Sequence, residues 1–211
     1  PFRPRAVRGE LRHRELDALE RGFEELSAHR RLLVSQRQRA HADAALAEGE
    51  SRIEGFLEGE DTRATAKIFS QLGVRIETPD AHTRIVHGVG LHGLKASAEA
   101  LDCGNAGTGM RLLTGLLSAQ AFDSVLVGDA SLSKRPMARV IRLLEAMGAH
   151  IDARDGNFAP LRIHGGRVLQ GQSVDTQVAS AQVKSALIFA ALYAEGETVI
   201  TEPRPTRDYT E

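Results

Sequence analysis

The chain has 211 residues, 27 basic and 28 acidic side chains, and a formal charge of −1, a length that holds one or two domains with a sizeable core. Near-neutral charge argues against a dedicated nucleic-acid binder, which carries a marked basic excess. The single cysteine, Cys103, excludes an internal disulfide framework and a cysteine-rich zinc site. The longest apolar run, Ala186 to Ala194, is half of what a bilayer-crossing helix needs. Residues 1–30 are charged throughout, unlike a secretory signal. These features lead to the expectation of a soluble cytoplasmic protein.

Residues 1–43 stand apart in composition. They hold ten of the 23 arginines and three histidines but no isoleucine, and all four lysines lie after them. If this stretch is helical, Leu16, Leu19, Phe23 and Leu26 share one face with charges opposite. From Ala44 the pattern becomes that of an α/β protein. A strand at 52–56 alternates apolar residues, and a helix follows with Ala64, Ile68 and Leu72 at helical spacing. Gly73 ends it as a C′ glycine, and Asp61-Thr62-Arg63 reads as its N-cap. A short strand at 74–76 and a glycine-punctuated hairpin at 83–94 come next. A helix at 107–119 leads to a strand at 125–127. Then come a helix at 136–147, Gly148, a strand around Ile151, a hairpin at 160–169 and a last helix at 181–194.

This order repeats. Ala47-Glu48-Gly49-Glu50 returns as Ala194-Glu195-Gly196-Glu197 after 147 residues. Leu72-Gly73-Val74-Arg75-Ile76 is echoed by Met147-Gly148-Ala149-His150-Ile151 after 75 residues. Arg84-Ile85-Val86-His87-Gly88 is echoed by Arg162-Ile163-His164-Gly165 after 77 or 78. Ordered echoes at one recurring spacing are the signature of structural duplication. The predicted architecture of 44–211 is therefore an array of about three mixed α/β units.

Three segments carry candidate chemistry. In Cys103-Gly104-Asn105-Ala106-Gly107-Thr108-Gly109-Met110-Arg111, glycines run into an amphipathic helix with Thr108 and Arg111 in its early turns. N–H groups at a helix start beside an arginine suit an anion. Without a ligand the same segment is a tight strand-to-helix turn. It is neither a Walker loop nor a Gly-x-Gly-x-x-Gly fingerprint. Ser133-Lys134-Arg135-Pro136-Met137 again precedes a helix, with Pro136 at the first helical position. One repeat after Asn105 stands Ser180, opening Ser180-Ala181-Gln182, whose polar atoms suit helix capping or a ligand's oxygens. His82, His87 and His92 recur every five residues, which does not align them on one strand face, so no metal site is expected. Cys103 reads as a small buried residue.

Taken together, residues 104–111, Lys134-Arg135-Pro136-Met137, Ser180 to Ala186 and Thr206-Arg207-Asp208-Tyr209-Thr210-Glu211 resemble the 5-enolpyruvylshikimate-3-phosphate synthases. These are the 3-phosphoshikimate 1-carboxyvinyltransferases of aromatic amino-acid and chorismate biosynthesis. The likeness covers about residues 44–211, in family order and spacing. It implies a fold of two similar domains built from βαβαββ units, of which this chain is roughly one. It implies transfer of the enolpyruvyl group of phosphoenolpyruvate to the 5-hydroxyl of shikimate 3-phosphate, with no cofactor or metal and with these two small molecules as the only partners. The whole protein is expected to be a monomer that contacts neither nucleic acid nor membrane. By the same resemblance Gly107, Arg135 and Gln182 bind phosphoenolpyruvate, with Asn105, Thr108 and Arg111 around them. Ser180, Ala181, Gln182 and Thr206 bind shikimate 3-phosphate.

Two departures limit the match. The family opens on Asp-Lys-Ser with an arginine downstream. Here Ser35 and Arg39 fall on the serine and arginine, assigned by resemblance to shikimate 3-phosphate, but Val34 occupies the lysine position. Ala40-His41-Ala42-Asp43, in place of the family's apolar helix, is expected not to face a core in the same way. Residues 1–43 thus read as an atypical segment, from a shifted reading frame or a fusion. The family also continues well past Glu211, carrying its acid/base groups there, so the isolated chain is expected to be an inactive, shikimate-3-phosphate-binding part. Alternatives are a non-catalytic fragment or binding module, and a UDP-N-acetylglucosamine enolpyruvyl transferase, whose reactive cysteine loop Cys103 does not match. An RNA 3′-terminal phosphate cyclase lacks support from the neutral charge. With seven Phe, two Tyr and no Trp, a pure interaction module has few anchors.

Overall fold

The structure, a computed structural model, describes residues 9–11, 31–33, 37–56 and 58–206, with side chains from Ala40 onward. The first unit begins with β2 (Arg31–Leu33), helix α1 (Arg37–Leu46) and β3 (Glu48–Glu54). It continues through α2 (Glu60–Gln71), β4 (Arg75–Asp80) and β5 (Thr83–Val89). Its sheet runs β2-β3-β5-β4, with β2 parallel to β3 and the other pairs antiparallel. The second unit comprises β6 (Leu101–Asp102), α3 (Gly107–Leu117), β7 (Ser124–Val127), α4 (Ala138–Ala146), β8 (His150–Arg154) and β9 (Phe158–His164). Its sheet runs β6-β7-β9-β8 with the same alternation of directions. Both are the βαβαββ unit, as the echoes imply. A third begins the same way, with β10 (Ser173–Asp175), α5 (Ala181–Ala191) and β11 (Thr198–Thr201), and β10 parallel to β11. There the antiparallel neighbour of β11 is β1 (Gly9–Leu11), drawn from the other end of the chain.

The duplication extends to backbone detail. α2 and α4 both end in a Schellman motif. Val74 N–H reaches Phe69 O at 2.9 Å, and Ala149 N–H reaches Leu144 O at 3.1 Å. The turn residues Gly73 and Gly148 take φ of +93° and +104°, a region that a Cβ penalises. α3 and α5 pack side by side at the centre. Every residue of α5 from Val183 to Ala191 is buried, the mark of a helix covered all round. It passes close against α3 at Gly115, where a Cβ would lie 2.0 Å from Ala186 O.

Four expectations are corrected. Ala40 and Ala42 are buried in the common core, and His41 is fully buried edge-on to Phe56 at 5.1 Å, so Ala40–Asp43 does face a core. Alanines suffice because α1 lies close against α2 and β5. The hairpins lie earlier than predicted: β4 pairs with β5 and β8 with β9, while 90–100 and 165–169 are connecting segments. Alternation continued through charged residues such as Glu77 and Asp152 and so escaped an apolar count. α2 starts at Glu60 with Gly59 as N-cap, and Thr62 at its third position accepts from Gly59 N–H at 2.9 Å. Pro136 lies outside α4, whose N-cap is Met137. Among the described residues, no helix is long and apolar enough to cross a membrane. The face predicted for Leu16, Leu19, Phe23 and Leu26 lies outside the described residues.

Candidate active site

The first turns of α3 and α5 meet. Gln182 Nε2 donates to Thr108 Oγ1 at 2.9 Å across 74 residues of sequence. This contact follows from the repeat: each helix follows a short strand that pairs in parallel with the next, so the two starts point the same way. A cavity of about 510 Å³ opens beside them, lined by Arg111, Arg139, Arg142, Asn157, Ser180 and Gln182 among others.

On the α3 side the turn is held by a polar chain. Asn105 Nδ2 donates to Asp129 Oδ2 at 2.8 Å, and Arg135 donates to Asn105 Oδ1. The other Asp129 oxygen accepts from Leu132 N–H at 2.7 Å. That N–H, followed by the Asn105 amide, holds the Asp129 carboxyl below its ordinary value. Gly107 lies under two guanidinium groups: a Cβ there would come within 3.0 Å of Arg135 Nη1 and 3.2 Å of Arg111 Nη1. Arg111 in turn donates to Gly107 O at 2.9 Å and to Pro136 O at 3.1 Å. Burial first, then the charges of Arg135 and Arg139, lowers the Arg111 pKa. Cations gathered in this way gain from an anion among them. Gly107 N–H is turned back onto Asn105 O at 2.9 Å, and the helix offers the N–H groups of its following residues instead.

On the α5 side Ser180 is the N-cap, in extended conformation, and its hydroxyl accepts from Val183 N–H at 3.5 Å. Asn105 lies one place further from its helix, because Ala106 is the N-cap of α3. One turn into α5, Lys184 donates its N–H to Ser180 O at 3.0 Å and pairs through Nζ with Glu202 at 3.2 Å, both side chains being nearly buried. Glu202 takes the Thr206 hydroxyl at 2.6 Å and its N–H at 3.3 Å. Thr206 is thus tied to the start of α5, but its proton is committed to a carboxylate. It meets a phosphate oxygen as a donor only by leaving Glu202.

The structure therefore brings Asn105, Gly107, Thr108, Arg111 and Arg135 into one network and links them to Gln182. Arg111, Ser180 and Gln182 share the cavity, whereas Arg135, Asn105, Gly107 and Thr108 are not among its lining residues and join it only through their contacts with Arg111 and Gln182. Ala181 is the first residue of α5. Val34, Ser35 and the Arg39 side chain lie outside the described residues, as do Arg207 to Glu211. Sequence reasoning missed Arg139 and Arg142, three apart on the exposed face of α4; the Lys-Arg-Pro segment just before that helix was the available signal. It also missed Asn157, whose Oδ1 accepts from Met137 and Ala138 N–H at 3.0 and 2.7 Å and so caps α4 from the β8–β9 turn. His82, His87 and His92 are not brought together: His87 bonds Glu77 at 2.8 Å, and His92 meets the Tyr193 ring. Cys103 is buried, which pushes its thiol up to about 12 and leaves it inert.

Repeated βαβαββ units whose helix starts converge on a basic cavity define the enolpyruvyl transferase class of fold. Residues 34–211 match the family EPSP synthase (3-phosphoshikimate 1-carboxyvinyltransferase). Over 173 residues the chain is 67% identical to the 3-phosphoshikimate 1-carboxyvinyltransferases of Xanthomonas euvesicatoria pv. vesicatoria and Xanthomonas oryzae pv. oryzae. That match covers 82% of this chain and 39% of each relative. The EPSP synthase of Acinetobacter baumannii superposes with a TM-score of 0.81 at 50% identity, over 86% of this chain and 42% of that one. The chain belongs to the EPSP synthase family and spans about two-fifths of the length of these relatives.

Proposed function

We propose that this chain is the shikimate-3-phosphate-binding part of an enzyme that transfers the enolpyruvyl group of phosphoenolpyruvate to the 5-hydroxyl of shikimate 3-phosphate, releasing phosphate. The observation that carries the reading is the Gln182–Thr108 bridge, which sets two helix starts against one cavity holding Arg111 and Ser180. Both substrates are phosphorylated anions, and a helix start attracts an anion through its unpaired N–H groups and its dipole. Ser180, Ala181 and Gln182 would receive shikimate 3-phosphate, with Thr206 joining once freed from Glu202. Arg135, Arg111, Asn105, Thr108 and Gly107 would receive phosphoenolpyruvate, and Gln182 lies between the two. Ser35 and Arg39, carried over by the resemblance, would also contact shikimate 3-phosphate.

By the resemblance, the family's acid/base groups fall in the part of the relatives' length that this chain does not match, and the chain binds and orients rather than turns over. In this reading the whole enzyme works in the cytoplasm as a monomer. Its two domains close to exclude water before reaction.

Calorimetry tests the proposal with shikimate 3-phosphate and with unphosphorylated shikimate. The phosphorylated ligand should bind more tightly, and Ser180→Ala should weaken it about ten-fold, the worth of one charge-assisted hydrogen bond, whereas Arg135→Ala, on the phosphoenolpyruvate side, should leave it nearly unchanged. Equal affinity for the two ligands, or none for either, would leave a non-catalytic fragment as the better account. Phosphate release from the two substrates should stay at background with this chain alone.

A further inference from the structure

We propose that His150, Asp152 and His164 form a surface site for a divalent transition metal such as Zn²⁺, separate from the substrate cavity. His150 and Asp152 alternate onto the exposed face of β8, and His164 stands directly across from His150 on β9. The two rings stack 4.3 Å apart with planes 21° from parallel. Both Nε2 atoms converge on one carboxylate: His164 Nε2 lies 2.8 Å from Asp152 Oδ2, and His150 Nε2 lies 3.8 Å from Oδ1. One ligand atom from each residue falls within 4.8 Å of the others. Bonds of about 2.0–2.1 Å to one ion would set these atoms about 3.3 Å apart, so side-chain rotation has to bring His150 in and part the His164–Asp152 pair slightly. Two imidazoles and a carboxylate favour Zn²⁺, Ni²⁺ or Cu²⁺ over Mg²⁺ or Ca²⁺.

The site also has an outer layer. His164 turns Nδ1 towards Asp123 at 3.9 Å, and Asp123 is anchored by Gly165 N–H at 3.0 Å. At 3.9 Å this contact is beyond hydrogen-bond reach, and a small rotation of His164 would let Asp123 orient the ring as an outer carboxylate does for a ligating histidine. Arg167 lies 3.5 Å from His150 Nδ1, and Arg162 stands opposite Asp152. Those two charges oppose a bound cation and keep the affinity modest. The first unit supplies an internal comparison. Arg75, Glu77 and His87 occupy the matching positions, and there the protein's own Arg75 sits on the carboxylate at 2.7 Å beside His87. In the second unit a histidine replaces that arginine and leaves the place to an external cation. The hairpin tip bearing Asn157 lies about 17 Å further along the strand, so the ion serves the hairpin rather than the cavity.

Zn²⁺ titration of the 211-residue chain in a non-chelating buffer tests this, read by calorimetry and by the imidazole C–H resonances. One equivalent should bind and shift two histidine resonances that His150→Ala and His164→Ala identify. Each of these variants, and Asp152→Asn, should weaken binding at least about ten-fold; Asp123→Asn should weaken it less. His150→Arg copies the first unit, keeps the fold, and should abolish the effect. Wild-type affinity in the His150→Arg variant would overturn the proposal, as would no shift of these two resonances at millimolar Zn²⁺.

Discussion

The first and second units share strand order, strand direction and the glycine that ends their second helix, yet they are stabilised differently where the copies diverge. In the first, the open end of the β4–β5 hairpin is neutralised from within, by Arg75 and His87 on Glu77. In the second, the equivalent end carries two histidines on Asp152, while the opposite end caps α4 and borders the cavity through Asn157. Duplication preserved what the backbone needs and released the exposed positions for other uses. In the third unit the described residues after β11 are secured to α5 through the nearly buried Lys184–Glu202 pair, whereas the pairs at the two hairpin ends are exposed.

That last difference predicts the largest effect. Lys184→Met leaves Glu202 nearly buried without this cation, and breaking such a pair costs about 3–5 kcal/mol. At about 2–4 °C per kcal/mol for a chain of this size, the midpoint of thermal unfolding should fall by about 10 °C. The double variant Lys184→Met/Glu202→Leu should recover most of it. A single variant as stable as wild type would show that the third unit does not depend on this pair.

A smaller effect separates the two duplicated glycines. Alanine at Gly73 or Gly148 must adopt positive φ, which costs about 1–2 kcal/mol. The added methyl meets different neighbours, however: the Lys95 side chain at 3.3 Å in the first unit and the Val168 carbonyl at 3.2 Å in the second. A lysine can swing aside and a carbonyl cannot, so Gly148→Ala should be the less stable by urea unfolding. The reverse order would mean that the 165–169 connection yields more readily than Lys95.

How much of this was legible in the sequence follows from which interactions are local. Helix ends marked by Gly73 and Gly148 were readable because positive φ selects glycine whatever surrounds it. The repeat was readable because it preserves such positions at fixed spacing. The glycine-rich start of α3, Arg135 and Ser180 were singled out by their place before helices. The Gln182–Thr108 bridge was not, since nothing local to either residue signals a partner 74 positions away. The hairpin bounds were misplaced because β4 and β8 continue through charged residues on an exposed face, so an apolar count found only their starts and not their pairing with β5 and β9. Ala40–Asp43 looked unfit for a core because it interrupts the family's apolar helix, although the alanines let α1 seat closely on α2 and β5 and His41 is buried against Phe56.

The weakest expected effect bears on the same contrast at the hairpin ends. Hydrogen bonding from His87, aided by Arg75, lowers the Glu77 pKa, and hydrogen bonding from His164 lowers that of Asp152. A carboxyl whose pKa is depressed on folding adds stability above its unfolded value, about 4, and loses it as the pH falls through the folded value. Glu77→Gln and Asp152→Asn should each lower the unfolding midpoint at pH 7 by on the order of 1 °C, since both groups are exposed. Both differences should vanish as the pH is taken from about 4 towards 2. Glu77→Gln should lose more, because Glu77 faces Arg75 at 2.7 Å as well as His87, whereas the second partner of Asp152 stands off at 3.8 Å. Equal losses would mean that His150 already does for Asp152 what Arg75 does for Glu77, which would weaken the argument that the second hairpin has room for an added cation.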